Sequence, residues 1–215
     1  MADDLKYGYK GAEPTQSFGN NTGVFDPNDI NNLIADNKWT SFGQLELIET
    51  QSITSSTASM IFDDIKQDVY NVHFLTFHNF KPTANNPRLV LRFFESGVEE
   101  SGSVYQYALQ QGRTSGTFSE AKSTGNTYIH LGGNQDNAGQ DISNGYIYIY
   151  NAGDSSKYTF TTKQMTEIYY SGSAYQFYFG SGVLPQTSTV DEIKLFTTTD
   201  SIAKLTASLY GIRYS

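Results

Sequence analysis

The chain has 215 residues, a length that suits one sizeable all-β body with a small appendage; its 14 Phe and 16 Tyr offer roughly 150–250 Å² of buriable area each. Charged residues make up only 17% of the chain, and 14 Lys+Arg against 22 Asp+Glu leave a net charge of −8. That balance excludes nucleic acid as an expected partner, because binding a phosphate backbone depends on cations displacing counterions, and the absence of cysteine excludes disulfides and thiolate metal sites.

Met1 is followed by Ala-Asp-Asp with no apolar stretch, so no secretory leader is expected. No run approaches the roughly 18 apolar residues of a membrane-crossing helix, so no membrane insertion is expected either. Residues Met1 to Val24 are polar and carry Gly8, Gly11, Gly19 and Gly23 without helical or strand periodicity, which predicts an extended arm. Asp26-Pro27 then reads as a helix cap with proline at the first helical position, and Ile30, Leu33 and Ile34 follow at helical spacing. One short helix is predicted, about Pro27 to Asp36. Between Met1 and Asn37 six acids (Asp3, Asp4, Glu13, Asp26, Asp29, Asp36) face two bases (Lys6, Lys10), so half of the net charge lies there. This segment reads either as an arm that seeks a basic docking surface or as a solvated acidic end.

From Trp39 the pattern changes to period two, in which successive side chains point to opposite faces of a sheet. Strands are predicted at Gly43 to Thr50, Ala58 to Phe62, Tyr70 to Asn79, Arg88 to Phe94, Val104 to Gln110 and Thr127 to Leu131. The series continues with Gly145 to Asn151, Lys157 to Thr162, Met165 to Tyr170, Tyr175 to Gly180, Val190 to Phe196 and Lys204 to Tyr210. Tyr146, Tyr148 and Tyr150 share one face of their strand and Ile147 and Ile149 the other, which predicts an inner strand covered on both sides. Tyr175, Phe177 and Phe179 oppose Gln176, and Leu89, Leu91 and Phe93 oppose Arg88 and Arg92; both strands read as half-buried. Turn-formers such as Asn85-Asn86-Pro87, Ser96-Gly97 and Asn144-Gly145 separate the runs. The expected fold is therefore all-β, an antiparallel β-sandwich or jelly roll over residues 38–215, with residues 1–37 as the N-terminal arm and short helix.

Candidate chemistry is sparse. His73, His78 and His130 sit in or beside strands, but positions 73 and 78 have opposite parity and cannot aim at one metal from a regular strand. A glycosidase needs two carboxylates across a groove. Glu95, Glu99 and Glu100 bracket a hairpin turn, and Asp191 and Glu192 border Ile193 and Leu195, so both sets read as solvated positions. Asn134, Asp136, Asn137 and Asp141 could offer oxygens to Ca²⁺ yet lack the spacing and closing Glu of a calcium loop, and read as a polar turn. Neither a nucleophile elbow nor a phosphate loop is present. No catalytic, metal or cofactor-binding residue is expected. Tyr105, Tyr107, Tyr128, Tyr169 and Tyr170 are candidates for stacking on sugar rings if they face solvent, with core packing as the competing fate.

The run Val190-Asp-Glu-Ile-Lys-Leu-Phe, a short turn, and Ile202 through Ser208-Leu209-Tyr210-Gly211-Ile212 resembles the closing strands of bacteriophage virion structural proteins. Upstream, Ser59-Met-Ile-Phe-Asp-Asp-Ile65, Tyr70-Asn-Val-His-Phe74 and Arg88-Leu-Val-Leu-Arg-Phe93 resemble the opening of the same module. Gly8-Tyr9-Lys10-Gly11 with Gly23-Val24-Phe25-Asp26 resembles the N-termini of head or tail appendage proteins of marine and cyanobacterial phages. The resemblance implies a non-enzymatic, surface-exposed virion protein, homotrimeric or otherwise multimeric, mounted on capsid or tail through its N-terminal arm. Because no shaft sequence is present, capsid decoration, capsid cementing or a short tail accessory is expected. A glycan-binding or receptor-binding module of tail-fibre type is the second reading, and a polysaccharide-degrading enzyme the third.

Overall fold

The computed structural model describes residues 16–17, 20–21, 27–35, 45–138, 143–171 and 174–212, and the chain divides into two units, 1–43 and 44–215. In the first unit, strands β1 (Gln16–Ser17) and β2 (Asn20–Asn21) pair antiparallel, so the expected arm contains a minimal ladder. Helix α1 (Pro27–Ala35) starts on the proline as predicted and carries Asp29 in its first turn, where the positive end of the helix dipole favours an acid. The rest of the predicted arm, together with Asp36 and Trp39, lies outside the described residues.

The second unit is built of antiparallel strands: β3 (Leu45–Ile53), β4 (Ser59–Phe62), β5 (Val72–Pro82), β6 (Leu89–Glu95), β7 (Val98–Glu99), β8 (Tyr105–Arg113) and β9 (Phe118–Asn126). The series closes with β10 (Ile129–His130), β11 (Ser143–Tyr150), β12 (Thr159–Ile168), β13 (Tyr175–Leu184), β14 (Val190–Thr197) and β15 (Ile202–Ile212). An eight-stranded sheet runs β3-β15-β5-β11-β12-β13-β8-β9, and a smaller one runs β4-β14-β6-β10, with β7 also on β6. Alternating apolar residues from both sheets meet in one core that contains Phe62, Leu91, Phe93 and Leu195 from the smaller sheet and Leu75, Ile147, Ile149 and Leu209 from the larger.

Three strand expectations change. The two strands predicted between Lys157 and Tyr170 are one, because Lys163 and Gln164 do not turn but pair with Gly180 and Phe179. Strand β9 was not predicted; it is an edge strand of Ser, Thr, Glu and Lys, which gives no apolar alternation to read. The strand predicted over Thr127 to Leu131 shrinks to two residues, paired with Leu91 and Val90 of β6. The β6–β7 hairpin turns on Ser96 and Gly97, both at positive φ (53° and 76°), the backbone that matches the twist of a two-residue hairpin.

The two sheets differ in width, and this decides what covers β12 and β13. Beneath them lies the coil after β10: the Asp136 N–H donates to the Ile168 carbonyl at 3.3 Å, and the Gly133 N–H donates to Glu167 at 2.9 Å. A coil buried against a sheet brings backbone groups that need partners, and the inner face of the sheet is polar for that reason.

Candidate functional site

Strand parity sorts the two faces of β11, β12 and β13. On β11, Ile147 and Ile149 are buried and Tyr146, Tyr148 and Tyr150 point away from the core. On β12 the inward set is Thr161, Lys163, Met165 and Glu167, and the outward set begins with Phe160. On β13 Gln176 is fully buried while Phe179 is 50% exposed. The expectation that both faces of β11 are covered is therefore corrected, while β13 is half-buried as expected. Among the described residues nothing covers the tyrosine face of β11, and on β13 the aromatic side faces out and the glutamine side faces in.

The outward rings form ordered rows. Tyr148 and Tyr150 stack with centroids 6.4 Å apart, Phe74 lies 4.6 Å from Tyr148, and Phe177 and Phe179 stack at 6.1 Å. Two hydroxyls pin the tyrosine row over β12: the Tyr146 hydroxyl donates to Gln164 Oε1 at 3.1 Å, and Tyr150 shares a hydrogen bond with Thr162 at 3.1 Å. Phe160 is 46% exposed and Phe118 72%. Each fully buried Phe would contribute about 1.5–3 kcal/mol to stability, so several outward rings forgo a sizeable gain. A contiguous apolar patch left at that cost marks an interaction surface.

Beneath this face lies a polar network. Glu167, 2% exposed, accepts from the Gly133 N–H at 2.9 Å, from Gln135 Nε2 and from Gln176 Nε2. Arg113 Nε donates to Gln176 Oε1 at 2.9 Å, and the Gln111 amide packs against Gln176, Ser119 and Tyr178. Burial pushes the Glu167 carboxyl up to about 8 against the pull of its N–H donors. Burial drives the Lys163 amine well below its ordinary value, and it donates to the His130 carbonyl. His130 is lowered to about 3 by burial and then by the charges of Arg88 and Lys163. The network stitches the coil to the sheet, with Gly133 packed onto the Tyr178 ring so closely that a Cβ there would overlap its hydroxyl.

The residues singled out from sequence are placed elsewhere. His73 is buried, bonded through Nε2 to the Ile65 carbonyl at 2.8 Å and lowered to about 4 by burial, while His78 is exposed on the other face of β5. Glu99 sits 2.7 Å from Arg92 and 2.8 Å from Lys194; burial works against its charge, but the hydrogen bonds from Lys194 and Arg92 hold it below its ordinary value. Glu95 accepts from Ser188, and Glu100 accepts from the Gly102 N–H at 2.6 Å and from Gln186 at 3.0 Å. Burial, then the neighbouring Asp191 and Asp63, raises Glu192. Asn134 accepts from Arg88, Asp136 accepts from the Ala138 N–H, and Asn137 bonds Thr83 and Asn85; Asp141 lies outside the described residues. No group of three or more potential metal ligands occurs among the described residues.

Of the candidate stacking rings, Tyr105 is wholly buried, accepting from the Phe93 N–H at 2.9 Å and donating to the Glu100 carbonyl at 3.0 Å. Tyr107 and Tyr128 are half-buried against the His130 ring, Tyr169 lies under the Arg113 guanidinium at 3.8 Å, and Tyr170 is exposed beside it. The rings that do form a platform were legible as rows in the sequence but not as outward-facing. Comparison with family models, with curated proteins and with solved structures finds no match to this chain.

Proposed function

We propose that this chain is a non-enzymatic structural protein of a bacteriophage particle, displayed on the outside as a capsid-decorating or cementing protein or a short tail accessory, and assembled there as a homo-oligomer, a trimer by family resemblance. The observation that carries the reading is the solvent-facing aromatic platform on β11–β13, held over a hydrogen-bonded polar network around Glu167: a surface made for contact. The strand order adds support. Setting aside the added strands, β3-β15-β5-β11 opposes β4-β14-β6-β10, the interleaving of a jelly roll, an architecture of viral capsid and lectin domains. In this reading β8–β9 and β12–β13 are insertions that widen one sheet by four strands and create the platform.

The C-terminal segment that carries the family resemblance supplies β14 and β15, which follow one another in the chain but lie in different sheets. Strand β15 sits between β3 and β5, with Ala207 and Leu209 in the core, so its role is to close the body. The acidic N-terminal unit is the proposed attachment to neighbouring subunits or shell. The test is mass spectrometry and imaging of purified particles of the virus that encodes the chain. A fixed copy number relative to the major capsid protein is expected, and deletion of residues 1–43 should leave a folded β body that no longer joins particles. A chain found only in the soluble lysate refutes the proposal. The second reading, a glycan-binding or receptor-binding module, is favoured by the polar floor of the same platform.

A further inference from the structure

The cross-strand register aligns small residues in a line across the larger sheet. Tyr148 faces Thr162, Thr162 faces Ser181, Ser181 faces Ala108 and Ala108 faces Lys122. Two residues to one side the line reads Gln164, Phe179; two residues to the other it reads Phe160, Val183. Small side chains between larger ones make a trough that runs perpendicular to the strands. Its parts are a depression of about 620 Å³ between the tyrosine row and Phe179 and one of about 690 Å³ between Phe160 and Thr124, which share Ser181. From β11 to β9 the trough crosses four strand spacings, about 19 Å.

Resting on the binding-surface reading above, we infer that this trough binds a neutral oligosaccharide chain of several sugar rings. Its walls present Phe179 beside Gln164 and Phe160 beside Val183, and the C–H face of a pyranose packs on the electron-rich face of an aromatic ring. Its floor offers the hydroxyls of Ser181 and of Thr162, the latter shared with Tyr150, and its wall offers the Gln164 side-chain amide N–H groups, whose Oε1 already accepts from Tyr146, all neutral groups suited to sugar hydroxyls. Charge selects against an anionic ligand: Lys122 at the open end is compensated by Glu120 at 2.5 Å, and the chain as a whole is acidic. Against a second copy of the chain stand the exposed hydroxyls of Thr162 and Ser181 along the trough, which a self-contact would have to strip of water. The length fits a polymer more than a single sugar.

The test uses the full chain in calorimetric titration with neutral hexasaccharides of gluco, manno and galacto configuration, and with a hexasaccharide of uronic acids as the charge control. At least one neutral hexasaccharide is expected to bind, with Phe179→Ala and Tyr148→Ala each weakening it roughly tenfold and Val98→Ala, exposed on the smaller sheet, leaving it unchanged. Circular dichroism checks that each variant keeps its fold. Binding of the uronate alone, no binding of any neutral hexasaccharide, or an affinity indifferent to Phe179→Ala overturns the inference. So does a wild-type oligomer in sedimentation velocity that Phe179→Ala dissociates, which would assign the face to a second copy. Recovery of the Phe179→Ala chain on particles with glycan binding lost supports the inference and the virion reading together; glycan binding by a chain absent from particles supports the inference and sinks the virion reading alone.

Discussion

Replacing Glu167 with Gln tests whether the polar interior behaves as its geometry requires. In the folded chain the carboxyl is raised from 4.5 to about 8 by burial, so below pH 8 it holds a proton that the unfolded chain releases above about 4.5. Folding in this window takes up a proton, and the carboxyl's contribution to stability is complete below pH 4.5 and declines as pH rises through 8. The limiting slope is about 1.4 kcal/mol per pH unit, with a ceiling of about 5 kcal/mol over the whole window. Glutamine has the same shape and no proton to bind. The stability of Glu167→Gln relative to wild type is therefore expected to improve steadily between pH 5 and pH 8. Urea denaturation at one-unit intervals and constant ionic strength measures this, and taking the difference cancels the titration of Lys163, His73 and His130, which both proteins share. A difference that stays flat across the range would show that Glu167 is ionised throughout, and that the N–H donors of Gly133, Gln135 and Gln176 outweigh burial.

Three further expectations concern the body and its platform. Phe62→Ala, in the centre of the core, should cost about 3–5 kcal/mol in chemical denaturation. Tyr105→Phe removes the acceptor of the buried Phe93 N–H and should cost about 1–3 kcal/mol in the same assay with the fold retained by circular dichroism. Phe179→Ala, by contrast, should change stability by less than about 1 kcal/mol, since half of the ring is already in water; a loss above about 2 kcal/mol would mean the ring is packed under a cover.

How far the sequence could be read depends on where tertiary coverage decides the outcome. Strands β14 and β15 follow their alternation because one face meets the core and the other is at least partly open to water, and in β6 Leu89, Leu91 and Phe93 lie inside as predicted, although Val90 on the other face is buried too. Strand β12 defeats the same reasoning: neither of its faces is apolar, and what suits Lys163 and Glu167 to the interior is the His130 carbonyl of β10 and the Gly133 N–H of the coil after it, 33 and 34 residues upstream. In β11 and β13 parity assigns the rings to rows, but it does not say which row of β13 faces the interior, and in β11 it leaves the tyrosine row expected under cover. Both faces of β11 are apolar, and what separates them is that the core shared with the smaller sheet lies on the isoleucine side while, among the described residues, no second layer lies on the tyrosine side.

The buried network and the exposed platform are therefore coupled through register. On β12 and β13 Glu167 pairs directly with Gln176, and the next pair, Thr166 with Phe177, faces out. A slip of one residue in either strand would turn every side chain to the other face. It would expel Glu167 or Gln176, leave the Gly133 N–H without its acceptor, and press Phe177 and Phe179 onto a coil of polar backbone. The apolar gain from burying those rings would be met by at least one orphaned backbone donor at about 1–3 kcal/mol and by the loss of the side-chain hydrogen bonds around Glu167. Hydrophobicity alone would favour the opposite arrangement of β13, so it is the polar interior that holds the rings in water, where a ligand can reach them.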